Sequence, residues 1–272
     1  MYVLALDTAL AACSAAVLDT RHGILASASV AMRRGHAEAL LPAVHQVMDD
    51  AGVTFSDLDR IAVTVGPGSF TGLRVGVSAA RGIALAARRP AVGITTLAAF
   101  AAPALILAQG TPVLAVIDAR HGQFYAQTFG GGGATEARIA PLADIVELAS
   151  EPIRIAGNCA DLVVVAWPRG KPSHVTVDPN EAPDISWVAR LGATSSLDAA
   201  PKPFYLRAAD ARPQAPQLPQ QRCCSIGFVR KTRCSLKPCR ATPLRLRACT
   251  AHRFGAAGPR MSSSGCCLSA TS

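Results

Sequence analysis

The sequence is short of charged residues, which make up 17% of its 272 residues, whereas 50% of the residues are hydrophobic. A chain with so much apolar material can build a packed core, so the composition excludes wholesale disorder, collagen and coiled coil. The length suits one large domain or two small ones.

Acidic residues are missing altogether from positions 216–272, which hold ten Lys and Arg. The net charge of +9 therefore misrepresents the body, whose 215 residues hold 17 basic and 18 acidic side chains. A near-neutral body argues against strong independent binding of nucleic acid, because phosphate contacts dominate such binding. Seven of the nine cysteines follow Gln221, without the Cys-x-x-Cys spacing of a zinc site. We interpret residues 213–272 as a basic, Cys-rich tail that is disordered or out of frame.

The body is also poor in cysteine, with only Cys13 and Cys159, and no Lys or Arg precedes Arg21. A signal peptide needs a basic start and a disulfide framework needs more cysteines, so we expect a cytoplasmic protein. The uncharged stretch 90–117 is long enough to span a bilayer. A Gly-Thr-Pro turn at 110–112 divides it into a helix-sized and a strand-sized piece, which favours buried structure and no membrane contact.

Apolar runs at residues 2–7, 13–19 and 24–32 predict three strands, and their spacing predicts an antiparallel meander. Residues 36–48 then follow the period of a helix. Because Pro42 lies inside that pattern, the helix either begins near it or kinks there.

A glycine-rich loop, GPGSFTGLRVG at 66–76, follows a predicted strand at 61–65 and opens a helix that ends near Ala87. Glycines let the backbone approach a ligand, and free N–H groups at a helix N-terminus favour an anion. The loop is no P-loop, because Leu73 and Arg74 stand where a Lys and a Ser or Thr are needed. The candidate anion or nucleotide residues of the loop are Gly66, Gly68, Ser69, Thr71 and Gly72. A tight turn capped by Ser69 or Thr71 explains the pattern equally well.

The pattern of strand, Asp, turn and strand recurs at residues 113–118 and 123–129. Asp7 and Asp118 each end an apolar strand and lie 111 residues apart, which suits a duplicated domain of about 100 residues. Carboxylates in such places hold a metal-bound nucleotide in a phosphotransferase, or accept Asx-type hydrogen bonds in their own turns.

Shorter elements complete the chain. They are a strand at 153–156, a helix at 158–167 capped by Asn158, a helix at 185–191, and residues 203–207, which close the ordered part. The predicted organisation is an N-terminal subdomain, 1–100, and a C-terminal subdomain, 101–212.

The helix after the glycine-rich loop is apolar on more than one face, as buried helices are. Its second side is covered either by a partner or by the chain's own core. No nucleophile stands with a general base: His36 and His45 are nine residues apart, and the position one turn after His36 is Leu40. A helical metal pair needs His at i and i+4. The lack of a catalytic set favours a subunit over a self-sufficient enzyme.

Five blocks of the sequence resemble the TsaB family in order and spacing: LALDTALAACSAAVLD, HAEALLPAVHQVM, GPGSFTGLRVGVSAARGIALA, VLAVIDARHGQFYAQ and YLR at 205–207. The resemblance covers about residues 1–212. It implies an α/β, duplicated actin-like and Hsp70-like (ribonuclease H-like) fold with two subdomains, in which helices flank mixed sheets. It also implies a non-catalytic partner of the enzyme TsaD in forming N6-threonylcarbamoyladenosine at position 37 of tRNA. TsaD carries a His-x-x-x-His metal site that Leu40 breaks here, so we expect no metal.

The same resemblance places helices at 36–50 and 70–88 against TsaD, while the ATPase TsaE and tRNA join the complex. The interface anchors predicted on these helices are Leu40, Leu41, Val44, Met48, Leu73, Val77, Ala80 and Ala84. We therefore expect Val77→Arg to abolish complex formation and to leave the monomer folded.

One alternative is an actin-fold, ATP-dependent phosphotransferase that uses Asp7, the glycine-rich loop and Asp118. A metallo-glycoprotease and a direct tRNA-binding module are weaker alternatives, because the second His is missing and the body is near neutral. We expect no cofactor on the isolated chain. The sequence leaves open whether ATP or ADP binds within the complex and whether two copies form a homodimer.

Overall fold

Two mixed β-sheets follow one another along the chain in the computed structural model. It describes residues 1–108, 110–130, 132–148, 153–167, 175–178, 181–197 and 199–207. The first sheet has five strands in the order β3-β2-β1-β4-β5. They are β1 (Tyr2–Asp7), β2 (Ala12–Asp19), β3 (Gly23–Ala31), β4 (Arg60–Gly66) and β5 (Ala91–Thr95). The predicted antiparallel meander of β1, β2 and β3 is confirmed, and β4 runs parallel to β1 and β5.

Two long helices cover one face of the first sheet: α1 (His36–Ala51) and α2 (Phe70–Ala87). Helix α1 begins at His36 and continues through Pro42. A proline lacks the N–H that would bond the carbonyl four residues earlier, here that of Glu38. Both residues are exposed, so water can hydrate that carbonyl and the helix tolerates the proline.

The second sheet repeats the arrangement around β6 (Val113–Asp118) and β7 (Gln123–Gly130), with strand order β11-β10-β6-β7-β8 and β9 also paired with β7. Its other strands are β8 (Gly133–Ala134), β9 (Arg138–Pro141), β10 (Arg154–Ala156) and β11 (Val175–Asp178). Strand β6 is antiparallel to β7 and parallel to β10, just as β1 is antiparallel to β2 and parallel to β4. The predicted α/β class, with two related mixed sheets flanked by helices, is confirmed.

The uncharged stretch 90–117 forms β5, helix α3 (Thr96–Leu107) and β6, as its turn residues predict. Helix α3 is buried over most of its length and packs against the second sheet. No helix within the described parts of the chain combines the length and apolarity needed to cross a membrane.

The remaining helices are α4 (Leu142–Leu148), α5 (Ala160–Val165) and α6 (Ile185–Thr194). Helix α6 packs on the first sheet: Ile185, Val188 and Ala189 share a core with residues of β1 and β4. The predicted boundary between 1–100 and 101–212 therefore does not divide the cores, because α6 returns to the first half. Residues Met1–Pro213 form one compact unit, and the predicted tail, 213–272, lies outside the described residues.

Candidate functional site

A cleft of about 930 Å³ lies where the turns of both halves meet. Its walls come from the β1–β2 turn, the loop before α2, the β6–β7 turn, the loop before α5 and residues 204–207. The carboxyl ends of the parallel strands β1, β4, β6 and β10 lie behind these loops, and ligands of open α/β sheets bind at such edges. The cleft is therefore the candidate functional site.

Asp7 ends β1 and is fully buried. Its Oδ1 accepts hydrogen bonds from the backbone N–H of Ala9, at 3.0 Å, and from the hydroxyl of Thr64. Its Oδ2 has no partner among the described residues. Burial raises the pKa of this carboxyl above its ordinary value, although the hydrogen bond from Thr64 opposes the shift. Of the two interpretations of Asp7, the Asx turn is the one that the structure shows.

The glycine-rich loop packs against the β1–β2 turn. The N–H of Ser69 donates to the carbonyl of Ala9 at 2.7 Å, and a Cβ at Gly68 would overlap the same oxygen. A Cβ at Gly72 would overlap the carbonyl oxygen of Thr8, and one at Gly66 would lie 2.7 Å from the carbonyl oxygen of Phe204. In this structure these glycines bring the backbone close to the chain itself, and an anion at the loop stays a prediction.

Ser69 is the N-cap of α2, since its Oγ accepts the N–H of Gly72 at 3.3 Å. Thr71 is exposed and does not cap the helix. Gly68 and Ser69 do line the cleft, together with Asp118. The structure thus brings three of the seven predicted anion or nucleotide residues to one cavity, while Asp7 stays beneath the surface.

Asp118 ends β6 and is exposed at the cleft. Its Oδ1 accepts the N–H of Arg120 at 2.7 Å, which is an Asx turn like that of Asp7. The N–H of Asp118 donates to Oδ1 of Asn158 at 3.0 Å. The prediction that Asn158 caps a helix is therefore wrong, because its side chain holds the β6–β7 turn and α5 begins at Ala160 after Cys159.

Two cleft residues that sequence reasoning passed over are Arg120 and His121. Their backbones are left-handed, with φ of 64° and 54°, which is uncommon for residues other than glycine, although less so for His than for Arg. The signal for them was a repeated pattern, Asp-x-Arg-His-Gly, at residues 19–23 and 118–122. Only the second copy faces the cleft.

Residues 204–207 connect the two halves. The N–H of Phe204 donates to the carbonyl of Val65 at 2.7 Å, and Nη1 of Arg207 donates to the carbonyl of Ala119 at 3.3 Å. The ring of Tyr205 lies 5.1 Å from that of Phe70, centroid to centroid. Its hydroxyl accepts Nε of Arg74 at 3.2 Å, and that guanidinium lies 3.8 Å above the Phe70 ring.

The described residues offer no paired nucleophile and base. His36 bonds through Nε2 to the carbonyl of Leu10 at 3.1 Å, and Leu40 is a core residue. Burial raises the pKa of the Cys159 thiol to about 12 and also raises that of Cys13, so neither thiol ionises easily. In the part of the chain that the structure describes, no group of three His, Cys, Asp or Glu is placed to hold a metal.

Most of the predicted interface anchors are core residues of the chain itself. Seven of them are buried: Leu40, Val44, Met48, Leu73, Val77, Ala80 and Ala84. Leu41 alone of the set is exposed, by 58%. The prediction that the seven contact a partner is wrong, because the first sheet covers the apolar faces of α1 and α2. Val77, only 3% exposed, cannot become Arg without damage to the fold.

Comparison with known proteins finds relatives of the chain. A family model described as TsaD, tRNA N6-adenosine threonylcarbamoyltransferase, matches residues 24–151. TsaB of Escherichia coli is 39% identical over 125 residues, which are 46% of this chain and 53% of that protein. An uncharacterized protein of Mycobacterium tuberculosis H37Rv is 31% identical over 214 residues, 78% of this chain and 95% of that protein. These comparisons identify the chain as a relative of the TsaB proteins.

The solved structures agree with the TsaB assignment. YeaZ of Pseudomonas aeruginosa, a TsaB protein, has a TM-score of 0.61 at 28% identity, and the match covers 75% of this chain and 99% of that one. The chain spans about half the length of the curated TsaB proteins that it matches. The match with YeaZ, in contrast, includes both halves of the fold.

Proposed function

We propose that the chain is a non-catalytic partner of TsaD in the formation of N6-threonylcarbamoyladenosine at position 37 of tRNA, within a complex that TsaE also joins. The observation that carries the proposal is the similarity to proteins named for threonylcarbamoyladenosine biosynthesis. The accessory role rests on the site. Leu40 fills the core where a helical metal pair needs its second His, and the described residues offer no substitute.

The exposed sides of α1 and α2 are the surface that we assign to TsaD. Each helix has a large apolar residue that the core leaves uncovered: Leu41 on α1, and Leu85, 81% exposed, on α2. Phe70, Arg74 and Arg81 are exposed on α2 as well. Aromatic and Arg side chains are enriched in protein interfaces. These residues replace the buried anchors as the candidates for partner contact.

Size-exclusion chromatography with TsaD tests both the partner and the surface. We expect the wild-type chain to form a one-to-one complex with TsaD. Leu41→Glu combined with Leu85→Glu should weaken that complex about tenfold or more, since interface anchors typically contribute 1 kcal/mol or more. Because both side chains are exposed, the double variant should keep the thermal unfolding midpoint of the wild type.

Val165→Glu on α5 is the matched control, because Val165 is 86% exposed but lies in the second half. It should bind TsaD like the wild type. Equal binding by the double variant would show that the surface is elsewhere. The absence of any complex with the wild-type chain would overturn the proposed function.

A further inference from the structure

Strand β3 leaves one edge of the first sheet open. It is the terminal strand of the order β3-β2-β1-β4-β5, and no other described strand pairs with its outer side. A bulge between Val17 and Leu18 leaves Leu25 without a partner in β2, so the regular part of the edge is Ala26–Ala31. An open edge presents a row of backbone N–H and C=O groups to which a further strand can bind.

The hydrogen bonds between β2 and β3 show which backbone groups face outward. The N–H of Met32 donates to the carbonyl of Ala11 at 2.9 Å, at the end of the β2–β3 pairing. Hydrogen-bonded and non-bonded positions alternate along an antiparallel pair of strands, so the backbones of Ser27, Ser29 and Ala31 point away from β2. All three residues are exposed. Each therefore offers one donor and one acceptor to a partner strand.

Apart from the bulge, the side chains of this edge lack the usual protection against strand addition. Natural edge strands are often protected by Lys, by Pro or by inward-pointing charges, whereas β3 contains no charged residue and no proline. Val30 lies opposite Cys13 of β2, and its side chain is 53% exposed because no described strand follows on its other side. An apolar side chain on an added strand would cover Val30, as cross-strand pairs do.

Cations flank the edge at both ends. Arg21 precedes β3, and Arg33 and Arg34 follow it. Glu181 lies 3.7 Å from Arg33, but both side chains are largely exposed, so this ion pair is weak. Residues 20–37 include no Asp or Glu. A partner strand would therefore meet positive charge at each end of the edge and an uncharged stretch between them.

The same charges disfavour a second copy of the chain as the partner. Two copies that pair in antiparallel fashion about Ser27 are related by a two-fold axis, which sets Arg21 of each copy opposite Arg33 of the other. Like charges directly opposite one another destabilise a pair of strands. A strand with acidic residues at both ends would instead meet charges of opposite sign.

We propose that the β3 edge binds an extended segment of another protein, in which acidic residues flank a short stretch of alternating apolar and polar residues. The segment joins the first sheet as an additional strand, and its main chain pairs with Ser27, Ser29 and Ala31. Its apolar side chains cover Val30, while its acidic ends face the flanking arginines. In this mode of recognition, main-chain hydrogen bonds give affinity and the alternate side chains give specificity.

Titration of the full chain with fluorescent peptides, followed by anisotropy, tests the charge and shape of the partner. The Glu peptide has alternating Val and Thr with two Glu at each end, and its nine residues match the length of β3. The Lys peptide has Lys in place of every Glu. We expect the Glu peptide to bind, and the Lys peptide to bind at least about tenfold more weakly, because charges of the wrong sign are repelled. Failure of the Glu peptide to bind, or equal binding of the two peptides, would overturn the proposal.

Ser27→Pro tests main-chain pairing along the edge. It removes an outward-facing N–H and leaves the hydrogen bonds to β2 in place, since proline is tolerated on the open side of an edge strand. We expect it to weaken binding of the Glu peptide about tenfold or more, because a main-chain hydrogen bond is lost and its acceptor stays unpaired. Ser27→Ala is the matched control, because it keeps the N–H and should bind like the wild type. Unchanged binding by Ser27→Pro, or equal losses for the two variants, would contradict pairing at this edge.

Arg34→Glu tests the flanking charge without a change in the strand itself, since Arg34 is exposed and lies beyond β3. It should weaken binding of the Glu peptide about threefold or more and strengthen binding of the Lys peptide. Arg138→Glu makes the same charge change at an exposed position of the second half and should alter neither. Equal effects of the two variants would overturn the proposal.

Analytical ultracentrifugation of the wild-type chain and of Ser27→Pro tests the other occupant of the edge. We expect both to sediment as the same species. A wild-type dimer that Ser27→Pro converts to a monomer would assign the edge to a second copy of the chain and overturn the proposal.

Discussion

Asp7 and Asp118 occupy equivalent places in the two halves, yet only Asp118 reaches the cleft. Each ends the central β1 or β6 strand and accepts the backbone N–H two residues later. Around Asp7, the loop before α2 closes over the turn, and its glycines touch the carbonyls of Thr8 and Ala9. Around Asp118, no comparable loop covers the turn among the described residues, and Arg120 and His121 face the cavity.

The difference shows that a local pattern determines local hydrogen bonds but not their surroundings. Both halves form the Asx turn that Asp favours. Tertiary contacts then bury one aspartate and expose the other. In a duplicated fold, one copy can hence serve packing while the other is available for a ligand.

The largest expected effect on stability comes from a substitution where the start of α2 packs against the Asp7 turn. Gly72→Ala places a methyl group on the carbonyl oxygen of Thr8, so we expect a loss of about 3 kcal/mol in the free energy of unfolding. Gly82 lies on the same helix with open space around its Cα, so Gly82→Ala should gain up to about 1 kcal/mol. Urea unfolding measures both. Changes in the free energy of unfolding of the same sign and size would mean that the close packing of the loop against the turn does not stabilise this region.

The next largest effects on stability are expected when each aspartate is replaced by alanine. Asp7→Ala leaves the buried hydroxyl of Thr64 and the N–H of Ala9 without their acceptor, so we expect a loss of about 2–3 kcal/mol. Asp118→Ala removes one hydrogen bond at an exposed turn and should lose about 1 kcal/mol or less. Urea unfolding of the two variants compares them directly. A larger loss in the free energy of unfolding for Asp118→Ala would contradict the conclusion that Asp7 is the aspartate with the structural role.

The smallest effect is a difference in pH dependence between Asp7 and Asp19. Burial raises the pKa of Asp7, so its contribution to stability is full below the ordinary Asp pKa and is lost as pH rises through the raised value. The N–H of Arg21, followed by His22, lowers the pKa of Asp19, so its contribution is present above the ordinary pKa and is lost as pH falls. We expect opposite slopes when wild-type stability is compared with Asp7→Asn and with Asp19→Asn between about pH 3 and pH 6. Parallel slopes would contradict the burial of an unpaired Asp7 oxygen.

Much of the fold was predictable because its signals are local. The apolar period gave the strands of the first meander, and α2 ends at Ala87 as predicted. The repeat of strand, Asp, turn and strand indicated the duplication that the two sheets share. The return of α6 to the first sheet was not predictable, because nothing in an amphipathic helix says which sheet it covers.

The site was harder to predict, because tertiary contacts determine which residues line it. A helix with apolar residues on several sides does not say which side faces a partner, and Val77 faces the chain's own sheet. Asn158 has the sequence signature of a helix cap, but its amide is used by Asp118. Arg120 and Arg21 share a local sequence but differ in their surroundings and in their backbone, since Arg120 has positive φ and Arg21 does not.

Reconstituted tRNA modification tests the accessory role most directly. Unmodified tRNA, threonylcarbamoyl-adenylate, TsaD and TsaE would be combined with and without this chain, and N6-threonylcarbamoyladenosine would be quantified by mass spectrometry of the nucleosides. We predict modification only when TsaD and this chain are both present. Modification by the chain in the absence of TsaD, or equal modification by TsaD in the absence of the chain, would contradict the account.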